Sequence, residues 1–141
     1  MLSGAVCYAA KALAHLAANQ DRSLLVREVA EATEIPGPYL AKIVNGLARK
    51  GFVTTQRGVG GGVSLARDAS GITLLDLCVA LDDPIVETRC LLEHTPCSDV
   101  RACPAHEFWV AHREKELAFL GRTTIDEMAA FEIREATQGE S

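Results

Sequence analysis

Residues 36–66 read PGPYLAKIVNGLARKGFVTTQRGVGGGVSLA and carry the most diagnostic pattern in the chain. Pro38 opens a helix at a position where its missing N–H does no harm. Leu40, Ile43, Val44 and Leu47 recur at helical spacing and form one apolar face. Tyr39, Lys42, Asn45, Gly46 and Arg49 lie largely off that face, toward solvent or a partner. Gly51 stands where a left-handed cap ends a helix. Two short runs then follow, Phe52 to Arg57 and Val63 to Ala66, with Gly58-Val59-Gly60-Gly61-Gly62 between them. This is a β-hairpin with a glycine-rich tip. A nucleotide-binding glycine loop needs a strand before it and a helix after it. Here a strand follows, which excludes that reading.

Upstream, residues 5–18 place Val6, Ala9, Ala10, Leu13, Leu16 and Ala17 on one stripe of an amphipathic helix. Residues 21–25 form a loop, and Val26 to Thr33 a short helix with Val26, Val29 and Ala30 inward. Glu34-Ile35-Pro36-Gly37 makes a tight turn. Downstream, Thr73 caps a fourth helix whose Leu74, Leu77, Cys78 and Leu81 share a face, so Cys78 reads as a core residue. Three helices and then a hairpin is the order of a winged helix-turn-helix. In such a domain the third helix enters the major groove and the wing tracks the backbone or minor groove. Pro38, Tyr39, Lys42 and Asn45 are then the groove-facing candidates. Arg57 suits the adjacent minor groove, and Gly58 and Gly60 let the wing backbone approach phosphates.

Charge supports that placement. The 141-residue chain has a formal net charge of −5, but from Gly37 to Arg67 it holds five basic residues and no acidic one. From Asp82 to Ser141 thirteen residues are acidic and six basic. A basic island on an acidic chain is a local footprint for phosphates. No stretch approaches the ~18 apolar residues of a membrane span and no signal peptide is evident, so the expected compartment is the cytoplasm.

The acidic half holds CLLEHTPCSDVRACPAH, residues 90–106. Cys90, Cys97 and Cys103 are separated by six and five residues, and His106 follows three residues after the last cysteine. Soft thiolates with one harder partner are ligands for zinc or for an iron–sulfur cluster. Structural zinc sites usually contain a tight C-x(2–4)-C knuckle, absent here, which tilts the reading toward iron–sulfur. His94 and Asp99 lie nearby, outside that set. Pro104 or Ala105 begins a longer helix that runs to about Leu120 and stops at Gly121. Its Phe108, Trp109, Ala111, Leu117, Ala118 and Leu120 exceed what a small domain can bury, which implies a partner helix. Thr124-Ile125-Asp126-Glu127 is a capping box opening a last short helix, and residues 137–141 should be a disordered tail. The expected organisation is a DNA-binding domain over 1–82, a cluster-binding loop over 83–106, and a dimerisation helix with a terminal helix over 104–136. The fold class is mainly α with a small β-hairpin.

The chain resembles the Rrf-two family of bacterial transcription regulators, the group that includes the IscR, NsrR and RirA types. The matching pieces are LSGAVCYAAKAL (2–13), PGPYLAKIVNGLARKGFV (36–53), RGVGGGVSLARDASGITLLDL (57–77) and the cysteine triad with the helix after it. The resemblance implies a homodimer on a pseudo-palindromic double-stranded DNA operator, with C-terminal helices crossing between subunits. It also implies an iron–sulfur cluster held by Cys90, Cys97 and Cys103 that tunes DNA affinity. In the IscR-like pattern a histidine at the place of His106 is the fourth ligand, which suits a 2Fe–2S cluster. In other members an acidic residue of the partner subunit, just before a Tyr-Ala pair, serves instead. Here that place holds Cys7, and Cys7 of the partner subunit would suit a 4Fe–4S cluster.

The expected function is a DNA-binding transcription regulator sensing iron–sulfur status, redox state or nitric oxide. The alternative is a repressor whose cysteines form a zinc site or a thiol redox switch. No nucleophile–base pair, pocket signature or nucleotide loop points to an enzyme.

Overall fold

Ser3 accepts a hydrogen bond from the Val6 N–H and starts α1 (Gly4–Ala18). This helix is buried almost all round: Val6, Ala9, Ala10, Ala12, Leu13, Ala14 and Leu16 are all in the core. Helices α2 (Val26–Thr33), α3 (Gly37–Arg49), α4 (Leu74–Ala80) and α6 (Ile125–Gly139) pack on it, as does strand β2 (Gly62–Leu65). Strand β1 (Val53–Gln56) and helix α5 (His106–Arg122) complete the elements, with short 3₁₀ turns at Ala69–Gly71, Pro84–Val86 and Asp99–Arg101. This computed structural model describes residues 1–92, 96–101 and 103–139. Its architecture is a mostly helical winged helix with one two-stranded antiparallel sheet.

The helix-turn-helix and wing follow the sequence reading closely. Helix α3 starts one residue early, at Gly37, with Pro38 in its first turn. Leu40, Ile43, Val44 and Leu47 face the core, and Gly51 has the expected positive φ of +82°. The hairpin pairs Val53 with Leu65 and Gln56 with Gly62, so Arg57 lies beyond the strand, at the tip. Leu24, expected in a loop, instead bridges Val63 through two backbone hydrogen bonds and roots the wing in the core. Gly62 makes that approach feasible, since a Cβ there would lie 2.5 Å from the Leu24 carbonyl oxygen.

The C-terminal half departs further from expectation. Helix α5 runs past Gly121 to Arg122. Its end is set by long-range backbone bonds: the Leu74 N–H donates to Thr123 O, and the Ile125 N–H to Ile72 O. Thr124 and Glu127 do form a capping box, at 3.0 and 3.3 Å. The helix it opens is not short; α6 has 15 residues and continues past Thr137 to Gly139. Packing against α1 sustains it, with Ile125 and Ala129 buried. Leu120 and Ile125 belong to the same core as α1, so the hydrophobic unit does not end at residue 82.

Asp83 joins the start of the fold to the segment leading into the cysteine loop. The residue is only 3 % exposed, and its carboxylate accepts from the Ser3 N–H at 2.8 Å and the Ile85 N–H at 2.9 Å. Burial acts to raise its pKa, but the hydrogen bonds from Ile85 and Ser3 outweigh it and hold the carboxyl below the usual value. A depressed carboxyl stabilises the fold above its unfolded pKa of about 3.9, and that contribution is lost as pH falls through the lower folded value. Asp83→Ala leaves two part-buried N–H groups without their carboxylate and should cost about 1–3 kcal/mol near neutral pH. Chemical denaturation of both proteins should show this difference at pH 7 and a smaller one below about pH 4.

Candidate functional site

Pro38, Lys42 and Asn45 are exposed on α3, at a spacing that continues to exposed Arg49 along one stripe. Tyr39 is partly exposed, and its ring meets Tyr8 of α1 edge-on, with centroids 5.4 Å apart. Arg57, Gly58 and Gly60 are exposed at the wing tip, where both glycines have positive φ and the Gly61 N–H closes a turn onto Gly58 O. Arg67 is the exception among the basic residues. Its guanidinium lies 4.1 Å from the Phe52 ring centroid and donates to the carbonyls of Lys50 and Gly51 at 3.1 and 3.2 Å. It thereby braces the two residues that follow the carboxyl end of α3.

The cysteine segment forms a second feature. Cys90, Cys97 and Cys103 are partly buried. The Cys97 N–H donates to Thr88 O and Arg89 bridges Pro96, closing the loop at its stem. Trp109 Nε1 donates to Arg89 O at 2.7 Å and fastens that stem to α5. Cys97 Sγ lies 3.2 Å from His106 Nδ1, and His106 Nε2 lies 2.8 Å from Asp99 Oδ1. The loop therefore joins Cys97 with His106 and brings in Asp99, which the sequence reading left outside. Among the described residues no group of three His, Cys, Asp or Glu side chains is gathered closely enough to hold a metal ion. His94 lies outside the described residues.

Two further cysteines differ sharply. Cys7 is an exposed thiol near the start of α1, whereas Cys78 is fully buried on α4. Burial, reinforced by the nearby Asp83 carboxylate, pushes the Cys78 thiol up to about 11. It is a neutral packing residue.

The Rrf2 family model, described as that of an iron-dependent transcriptional regulator, matches residues 2–130. The chain belongs to the Rrf2 family. A protein of Aquifex aeolicus named as an HTH-type transcriptional regulator is 35 % identical over 134 residues, covering 94 % of this chain and 93 % of that one. The regulator IscR of Xenorhabdus nematophila is 30 % identical over 122 residues, or 86 % of this chain and 74 % of that protein. In fold, the chain is similar to CymR, the global cysteine regulator of B. subtilis (TM-score 0.79, 24 % identity, 93 % of this chain and 97 % of that one). It is also similar to T. potens IscR (TM-score 0.74, 20 % identity, 100 % and 91 %).

This Rrf2 protein is thus a transcriptional regulator and not an enzyme. No helix among its described residues is long and apolar enough to cross a membrane. Arg67 ties the two residues that follow α3 to Phe52 at the root of the wing. Arg67→Ala should therefore lower stability by about 1 kcal/mol, through the lost contact with Phe52 and the two carbonyl bonds. Thermal unfolding would register that loss, while the salt dependence of DNA binding should stay as in the parent protein.

Proposed function

We propose that this regulator acts as a homodimer whose operator affinity is set by an iron–sulfur cluster on Cys90, Cys97 and Cys103, with His106 as fourth ligand. The observation that carries this reading is the 3.2 Å approach of Cys97 Sγ to His106 Nδ1. It occurs in a loop tied to α5 by Trp109 and leading back to Asp83, which is tied to α1. Three thiols and one imidazole form a donor set that suits such a group. When bound, an iron–sulfur cluster supplies a centre whose charge and ligation respond to oxidant, nitric oxide or iron supply. His106 as fourth ligand favours 2Fe–2S, and Cys7 of the partner subunit in its place favours 4Fe–4S.

The remaining steps belong to the chain itself. Pro38, Tyr39, Lys42 and Asn45 meet the major groove, Arg57 the adjacent minor groove, and the backbone at Gly58 and Gly60 the phosphates. Dimerisation uses α5, where only Leu120 is buried while Phe108 and Phe119 are 67 % and 48 % exposed. A route of packed contacts joins the two sites. Asp83 holds Ser3 at the start of α1, and Tyr8 on α1 meets Tyr39 on α3. A shift of the loop stem thereby tilts the groove-reading helix.

A thiol switch is the second reading, favoured by the Cys97–His106 contact itself, since a thiol beside an imidazole is also the setting of a redox-active cysteine. Protein isolated anaerobically should be coloured and contain iron and acid-labile sulfide. Colourless protein with stoichiometric zinc, or with no metal, would defeat the cluster. The DNA face is tested separately. Lys42→Ala should reduce the salt slope of operator binding by about one and weaken all sequences alike, and Arg57→Ala should blunt A·T preference. Unchanged affinity in both variants would mean that the docking is misassigned.

A further inference from the structure

The ring of His106 is held from two sides. Nδ1 faces Cys97 Sγ at 3.2 Å, and Nε2 faces Asp99 Oδ1 at 2.8 Å. An ionised carboxylate can only accept a hydrogen bond, so Nε2 must carry the proton. In a neutral imidazole that leaves the Nδ1 lone pair bare and aimed at the thiol. The two contacts lie on opposite sides of the ring, so Asp99 cannot reach the thiol side without abandoning the imidazole. Local structure sets both ends. His106 begins α5 with its N–H on Cys103 O, and Asp99 opens a 3₁₀ turn beside which Ser98 Oγ accepts from the Val100 N–H.

We infer that Asp99 is a positioning residue for His106: it holds the Nε2–H so that Nδ1 is the nitrogen presented to Cys97 and to any metal centre the cysteines hold. This rests on the cluster reading above and deepens it, because it names the coordinating atom and the carboxylate behind it. A ligating histidine commonly donates its other N–H to such a carboxylate, and loss of the partner typically weakens metal retention 10–100-fold. The side chain of Asp99 is 99 % exposed against 12 % for His106, so water competes for the carboxylate. The effect belongs at the lower end of that range, about tenfold.

The test uses the full-length protein, as parent, Asp99→Ala and Asp99→Asn. Protein grown with histidine carrying ¹⁵N only at Nδ1 is reduced, and the nitrogen couplings of its paramagnetic cluster are measured. Strong coupling should come from Nδ1. Cluster loss under an iron chelator should be about tenfold faster in Asp99→Ala and near the parent rate in Asp99→Asn, whose amide oxygen still accepts. Strong coupling from Nε2, or equal loss rates in parent and Asp99→Ala, would overturn the assignment. Protein that never takes up a cluster would defeat the proposed function instead. The contact is then judged in reduced apo protein by NMR. An exchange-protected His106 Nε2–H that Asp99→Ala abolishes supports the positioning role, and one that is missing in the parent or unchanged in the variant rejects it.

Discussion

The structure depends on how closely other elements can approach α1. Ala9, Ala10, Ala12 and Ala14 are all buried on that helix, and small side chains let neighbouring backbones come near on several sides at once. Leu13 and Val6 fill the space between them with no exposed surface. Interiors this well packed transmit displacement instead of absorbing it, because each side chain already sits against its neighbours. Polar ties fix the helix at intervals: Ser3 to Asp83 at its start, Lys11 Nζ to Thr33 O at its middle, and Asn19 to His15 O at its end. Helix α3, the wing and the Asp83 segment that leads into the cysteine loop therefore share one rigid floor.

That arrangement also reconciles an acidic protein with a role at DNA. Within a Debye length of about 10 Å at 0.1 M salt, the local distribution matters more than the total. Lys42, Arg49 and Arg57 lie exposed on one helix stripe and a wing tip, in a stretch that contains no carboxylate. Arg67 is spent differently. Stacked on Phe52 and bonded to the carbonyls of Lys50 and Gly51 just past α3, it stiffens the junction between helix and wing.

How much of this could be read from the residues alone follows from the range of the interactions. The helix-turn-helix, the hairpin, the Thr73 cap and the Thr124–Glu127 box are local patterns, in which period or capping chemistry is set within a few positions. The points of departure are all long-range. Leu24 reads as loop because its strand partner, Val63, is 39 residues away. Gly121 reads as a helix stop, but the true stop is imposed by Ile72 and Leu74 across the fold. The length of α6 is sustained by α1, at the other end of the chain. At the candidate site the triad and His106 were visible as spacing, whereas the role of Asp99 depends on a loop conformation that spacing does not specify. Asp83 gave no signal at all: an acidic residue beside Asp82 in a charged segment reads as surface, and only the N–H groups of Ser3 and Ile85 make its burial tolerable.

The position of the cysteine loop bears on whether a bound centre would act as staple or switch. The core is closed by residues from Val6 to Cys78 together with Leu120 and Ile125, and none of Cys90, Cys97 or Cys103 contributes to it. A metal is therefore not required to bury the apolar faces of the winged helix, unlike small domains whose metal supplies their folding energy. Among the described residues the loop segment is tied to α5 by the Trp109 bond to Arg89 O and to the start of α1 through Asp83, with Ile85 and Val86 packed against the core. Contacts of this kind are strong enough to bias an equilibrium. A coupling of about 1–3 kcal/mol changes affinity roughly 5–150-fold. Rearranging one or two hydrogen bonds at the loop stem is of that order, since each contributes about 0.5–1.5 kcal/mol net. Replacing the three cysteines by alanine should accordingly leave a folded dimer whose operator affinity has moved by several-fold or more. Hydrodynamics together with anaerobic DNA binding at fixed salt would separate that outcome from an unfolded or dissociated chain, which would instead make the centre a structural staple.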